Sequence, residues 1–238
     1  MVPILFEDDS ILAVSKPEGV AAIPERRAKG ESLLEMLSDL RSERLYVVHR
    51  IDKETSGLMV FARNAAFHRW LSQQFDRRTV VKTYLALCHG TISDDRGTIE
   101  VPLRQFGSGR VGVDVKRGKP SVTDFEVHRR FGFFTFPSAC PHTGRRHQIR
   151  VHFYHVGHPI VGDPLYGDKA LRQGFGRLML HAWRLSVHLP SSRTLEASVP
   201  ESFARVLETA NAIGLPASAS SLPGIAPPGS GQPGNAEG

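Results

Sequence analysis

His49-Arg50-Ile51-Asp52-Lys53-Glu54-Thr55-Ser56-Gly57 sets a carboxylate, Asp52, between two extended apolar runs. Leu45-Tyr46-Val47-Val48 comes before it and Leu58-Met59-Val60-Phe61 after it. Short apolar, β-branched runs on either side of turn residues read as strands. Thr55, Ser56 and Gly57 supply the turn chemistry between them. The stretch thus predicts an acid pinned at a strand end, with an arginine two residues before it. On local features alone a reactive centre and a polar loop between strands fit equally well.

Outward from this stretch the chain reads as strands with a few helices. Ile4-Leu5-Phe6 and Ile11-Leu12-Ala13-Val14 flank an acidic turn, and Lys16-Pro17-Glu18-Gly19 ends the pattern. Ser32 and Glu35 have capping-box spacing, with Leu33, Leu37 and Leu40 on one helix face. A second helix is expected from Asn64, with Phe67, Trp70, Leu71 and Phe75 apolar. Extended segments follow from Lys82 to Leu103, Ser121 to Val127, Phe131 to Phe136 and Leu178 to Leu189. Between them, Gly107 to Lys119 is glycine-rich and basic, an exposed hairpin or loop suited to phosphates or simply to water. Thr143 is the expected N-cap of a helix carrying Ile149, His152, Phe153 and Val156, stopped by Gly157 and Pro159. Pro200 opens a last helix with Phe203, Val206, Leu207 and Ala210 on one face and Gly214 after it. The irregular mixture predicts an α+β fold on a mixed, largely antiparallel sheet with flanking helices. Residues 1–216 are expected to form one domain; 217–238, dominated by Ala, Ser, Pro and Gly, a disordered tail.

The chain has 238 residues, 40% hydrophobic and 23% charged, enough for a sizeable core. A net charge of +6 favours a polyanionic partner. Two distant cysteines, Cys88 and Cys140, form neither a disulfide framework nor a metal knuckle and suit a reducing cytoplasm. No leader peptide and no membrane span are expected.

Thr143-Gly144-Arg145-Arg146-His147-Gln148-Ile149-Arg150 brings three arginines to a helix start, where backbone N–H groups favour anions. Arg146 and Arg150, one turn apart, are expected to project from the same side. His142, His147, His152, His155 and His158 crowd one span, but their spacing does not group ligands on one face with a carboxylate, so no metal is expected. Neither a serine nucleophile elbow nor a nucleotide-phosphate loop is present.

These motifs together resemble the pseudouridine synthases of the RluA family. The resemblance runs through His49–Asp52 with Thr55–Gly57, Lys82–Ala86, Lys119-Pro120 with Thr123, Thr143–Arg145 with His147–His152, Gly157–Asp163 with Tyr166-Gly167, and Leu178–Ala182. The blocks keep the family's order and cover roughly residues 4–200. Two segments depart from the family pattern: Phe136–His142, where the family has an alternating aliphatic strand, and Cys88-His89-Gly90. The S4 RNA-binding domain that many relatives carry in front is not expected.

The resemblance implies an isomerase that turns uridine into pseudouridine in RNA, with no cofactor and no metal, acting at a central RNA-binding cleft. It implies Asp52 as the catalytic carboxylate, Tyr84 as the active-site tyrosine and Arg150 as the partner of the carboxylate. Arg50 would hold the target nucleotide out of its helix. Thr55, Arg145, Arg146, His147, Gln148 and Leu180 would line the substrate site. The physics agrees: the glycosidic bond is reachable only in an unstacked uridine, an aromatic ring can stack on the extruded base, and Arg145, Arg146, Lys116, Arg117 and Lys119 can hold phosphates. The expected partner is transfer RNA or 23S ribosomal RNA, and a monomer is expected. A non-catalytic RNA-binding protein would have no use for Asp52 in a basic groove. A glycosidic-bond hydrolase uses two flanking carboxylates, and one acid here sits in a matching motif.

Overall fold

The computed structural model describes residues 2–24, 30–168, 175–188 and 193–214. The expected disordered tail lies outside the described residues. In chain order the elements are β1 (Ile4–Glu7), β2 (Ile11–Lys16), α1 (Leu33–Arg41), β3 (Tyr46–Val47), β4 (Ser56–Ala62), α2 (Ala65–Asp76), β5 (Val81–Ala86) and β6 (Cys88–His89). There follow β7 (Arg96–Glu100), β8 (Leu103–Gln105), β9 (Val111–Val113), β10 (Val122–Phe131), β11 (Phe134–Pro141), α3 (Gln148–His155), β12 (Leu180–Val187), β13 (Arg193–Glu196) and α4 (Glu201–Gly214). The fold is α+β on a mixed, largely antiparallel sheet, as the sequence predicts.

The main sheet runs β1-β2-β4-β12-β5-β11-β10-β7, with β3 on β4, β6 on β11 and β13 on β12. Strands β8 and β9 form a separate hairpin over the glycine-rich, basic segment. β11 stays paired antiparallel with β10 through Pro137 and Pro141, with a register shift between Val127 and Arg129, so the unusual Phe136–Cys140 composition is still a strand. Among the described pairings, β4 with β12 alone is parallel, and it joins the two halves of the sheet.

Gly57 sits at that seam opposite Ala182. Its φ is +114°, and a Cβ there would lie 2.2 Å from the Ala182 carbonyl oxygen. Only glycine fits both the dihedral and the approach. Gly57→Ala should therefore cost about 3 kcal/mol or more, from backbone strain plus overpacking. Denaturant unfolding measures it; a loss under about 1 kcal/mol would show that the seam yields.

The first two helices begin where the sequence places them, each under a side-chain cap. Ser32 and Glu35 make the reciprocal capping box, and Asn64 accepts from the Phe67 N–H at 3.0 Å. Two side chains on the predicted apolar faces point outward instead. Leu40 is 67% exposed, because the last turn of α1 is held by a two-pronged Arg41–Glu7 pair. Trp70 is on the rim of the α2 stripe with its edge on Phe67. The buried place goes to Gln74, whose amide bonds both backbone polar groups of His188.

Three histidines are built in neutral. His181 lies fully buried at the seam. Arg177 donates to Ser56 Oγ at 2.6 Å, so the Ser56 hydrogen goes to His181 Nδ1 at 2.8 Å, and Nε2–H donates to the Ala197 carbonyl at 3.0 Å. His49 accepts the Val60 N–H at 3.0 Å and stacks on Phe75. His152 is fully buried beside Ser121. Burial lowers their pKa values to about 4, 3 and 4 respectively. Their folded values lie below the unfolded value of about 6.5, so the unfolded chain takes up protons first as pH falls. Stability present above pH 6.5 should be lost between about 6.5 and 4, at up to about 1.4 kcal/mol per pH unit for each histidine. Urea midpoints across that window, compared with a His181→Gln variant, test this. A wild-type curve no steeper than the variant's would refute it.

Candidate active site

The loop between β3 and β4 carries Asp52, and it is braced from beneath. Thr55 N–H closes it onto the Asp52 carbonyl at 3.1 Å. The Lys53 carbonyl receives Gly19 N–H at 2.9 Å and the Lys16 ammonium at 3.0 Å. Lys16 is wholly buried, and its other donors go to the Pro17 and Val20 carbonyls, each at 2.8 Å. Burial lowers its pKa to about 8, against the pull of Glu54 and Asp52.

Arg150 rises from α3 with no exposed surface. Its Nε and Nη2 grip the two oxygens of Asp163 at 2.7 and 2.8 Å. The remaining Nη1 reaches Asp52 at 3.3 Å and Glu54 at 3.5 Å. Burial opposes the charge, but Asp163, Asp52 and Glu54 outweigh it and raise the pKa. Asp163 is itself buried and also takes the N–H groups of Leu165 and Tyr166. Just before it, Gly162 has φ +71° and passes so close to the Arg177 carbonyl that no side chain fits. A buried guanidinium aimed by a buried carboxylate thus presents one edge to Asp52, whose side chain is 26% exposed.

Tyr84, on β5, forms a wall of the same cleft. Burial, then the charge of Asp52, raises its phenol pKa, so it keeps its proton. The cleft has a volume of about 380 Å³, within the range of small-ligand sites. Arg50, Asp52, Thr55, Tyr84, Arg145, His147, Gln148, Arg150 and Leu180 all line it. Arg146 does not; it borders an adjoining depression with Arg50, Lys53 and Glu54.

The start of α3 departs from expectation. Its N-cap is His147, in the left-handed region at φ 53°, and not Thr143. Thr143 Oγ1 instead donates to Gln148 Oε1 at 2.6 Å, which ties down the loop before the helix. Arg146 therefore precedes the helix, is exposed, and does not share a side with the buried Arg150. Gln148 makes four hydrogen bonds within the protein, to Thr143, Arg145, Val122 and Thr123, which leaves it a brace for the loop. Sequence reasoning gave no role to Lys16, Asp163 or Tyr166. Lys16-Pro17 and Gly162-Asp163 carried a signal in the unusual pairing of a charged residue with Pro or Gly beside a strand or turn. Among the described residues no group of three or more His, Cys, Asp or Glu side chains is placed to hold a metal ion.

The family described as RNA pseudouridylate synthase matches residues 10–155. A dual-specificity RNA pseudouridine synthase RluA from Vibrio vulnificus is 41% identical over 202 residues, covering 82% of this chain and 80% of its own. A ribosomal large subunit pseudouridine synthase C from Pasteurella multocida is 38% identical, covering 83% of this chain and 64% of its own. The solved human RNA pseudouridylate synthase domain containing 1 superposes with a TM-score of 0.68 at 28% identity, covering 91% of this chain and 97% of that one. The chain belongs to the RNA pseudouridine synthases, isomerases that convert uridine in RNA to pseudouridine. Among them it is a member of the RluA family.

Proposed function

We propose that Asp52 is the reactive carboxylate and that the target is a uridine in large-subunit ribosomal RNA or transfer RNA. The observation that carries this is the contact between Asp52 and the buried Arg150 at the cleft floor. In the isomerisation the C1′–N1 bond breaks, the uracil turns, and C1′–C5 forms. N1 gains a proton and C5 loses one, so no other reagent is consumed. Asp52 acts beside the sugar and base, Arg150 holds it in place, and Tyr84 stacks on the extruded uracil. Arg50, exposed at the rim, fills the gap the uridine leaves. Thr55 and Leu180 close the floor and Arg145 meets a phosphate. Arg146 extends the track into the adjoining depression.

The turn that follows β9 lengthens this basic track. Asp114 accepts the N–H groups of Lys116 and Arg117 at 3.1 and 2.9 Å, which builds the turn that exposes both side chains. RNA affinity then comes from residues 1–216 as a single domain, acting as a cytoplasmic monomer. No helix among the described residues is long and apolar enough to cross a membrane. The large-subunit name of the Pasteurella relative supports the ribosomal reading. Pseudouridine mapping in ribosomal and transfer RNA of the source organism, with and without this chain, tests it. At least one uridine in these RNAs should lose its modification; complete maps that do not differ would exclude both RNAs as substrates.

A further inference from the structure

His147 stands opposite Asp52, its Nε2 3.9 Å from Asp52 Oδ2. Its other nitrogen, Nδ1, is 2.8 Å from the hydroxyl of Tyr166, a residue 2% exposed. That hydroxyl also receives the backbone N–H of Val111, in the β8–β9 hairpin, at 3.1 Å. Val111 can only donate, so the tyrosine oxygen accepts there. The single tyrosine proton then has one good acceptor, His147 Nδ1. The opposite arrangement would strand a buried hydroxyl hydrogen and turn a bare Nε2 lone pair toward a carboxylate, and both are costly.

We infer that Tyr166 is a positioning residue that locks His147 in its Nε2–H tautomer, so that a neutral donor faces Asp52 and the uracil beside it. The Tyr166 ring is well fixed for this, with the guanidinium of Arg110 5.6 Å and that of Arg150 5.3 Å from its centre. The charges that face His147 are Asp52, Arg150, Arg146 and Asp163, and burial keeps the imidazole neutral among them. A wrong tautomer at such a position can abolish most of a rate without disturbing the fold. The inference rests on Asp52 as the reacting group, but the tautomer is read without RNA and so stands or falls separately.

Nitrogen-15 NMR of histidine-labelled enzyme should show His147 with a bare Nδ1 and a protonated Nε2. Tyr166→Phe should mix or reverse that pattern. On 5-tritiated-uridine RNA from cells lacking the enzyme, the single-turnover rate of Tyr166→Phe should fall about ten-fold or more, with filter-binding affinity held within about two-fold. His147→Gln, which keeps a donor near the Nε2 position, should turn over at least about ten-fold faster than His147→Asn. Asparagine tolerates the left-handed backbone at His147 better than glutamine does, so strain cannot produce that order. A protonated Nδ1 in wild type, an unchanged rate for Tyr166→Phe, or equal rates for the two His147 variants would overturn the inference.

Discussion

Asp52→Asn should abolish tritium release from RNA labelled at uridine C5, while thermal unfolding and RNA binding stay close to wild type. The substitution keeps the shape of the side chain and removes its charge. The loop does not depend on that carboxylate, because its brace is built from main-chain carbonyls on Lys16 and from the Thr55 N–H. Nor is the carboxylate needed to hold Arg150, which is gripped from the other side by Asp163. The loss should exceed about 10³-fold, as expected when a covalent or proton-transfer role is deleted outright. Activity within a few-fold of wild type would remove Asp52 from the reaction.

The second large effect concerns Arg150, and it falls on the fold as well as on the rate. Arg150→Ala leaves Asp163 as a buried anion without its partner, a defect worth about 3–5 kcal/mol. The melting temperature should drop by several degrees and turnover should fall in the surviving folded fraction. Arg150→Lys keeps the charge but cannot grip Asp163 with two N–H groups and reach Asp52 with a third. It should recover part of the stability and little of the rate. Calorimetry beside single-turnover kinetics separates the two losses. An Arg150→Ala protein as stable as wild type would mean that the Asp163 grip is not maintained in solution.

Much of this site was legible in the chain because its motifs are local. Asp52 between two strands, Gly57 after it and Arg150 beside an apolar helix residue all follow from neighbours a few positions away. What escaped depends on partners distant in sequence. Lys16 reaches the Lys53 carbonyl, Asp163 reaches Arg150, and Tyr166 meets both His147 and Val111. No periodicity announces such contacts. The errors have the same origin. Thr143 has the right chemistry for a cap, but Gln148 captures its hydroxyl and the helix starts later. Once the start moved, Arg146 left the helix and its expected side. On α2, the free main-chain groups of His188 drew Gln74 inward and left Trp70 on the rim.

The parallel pairing of β4 with β12 also sets when the cleft can first be completed during synthesis. Ser56 and His181, which meet there, lie 125 positions apart. At synthesis rates of about 5–20 residues per second, about 6 to 25 seconds pass between making the one and making the other. Throughout that interval the Asp52 loop has been synthesised but lacks the strand that closes its cleft. Until β12 is made, the half-finished cleft lacks Leu180, one of its lining side chains.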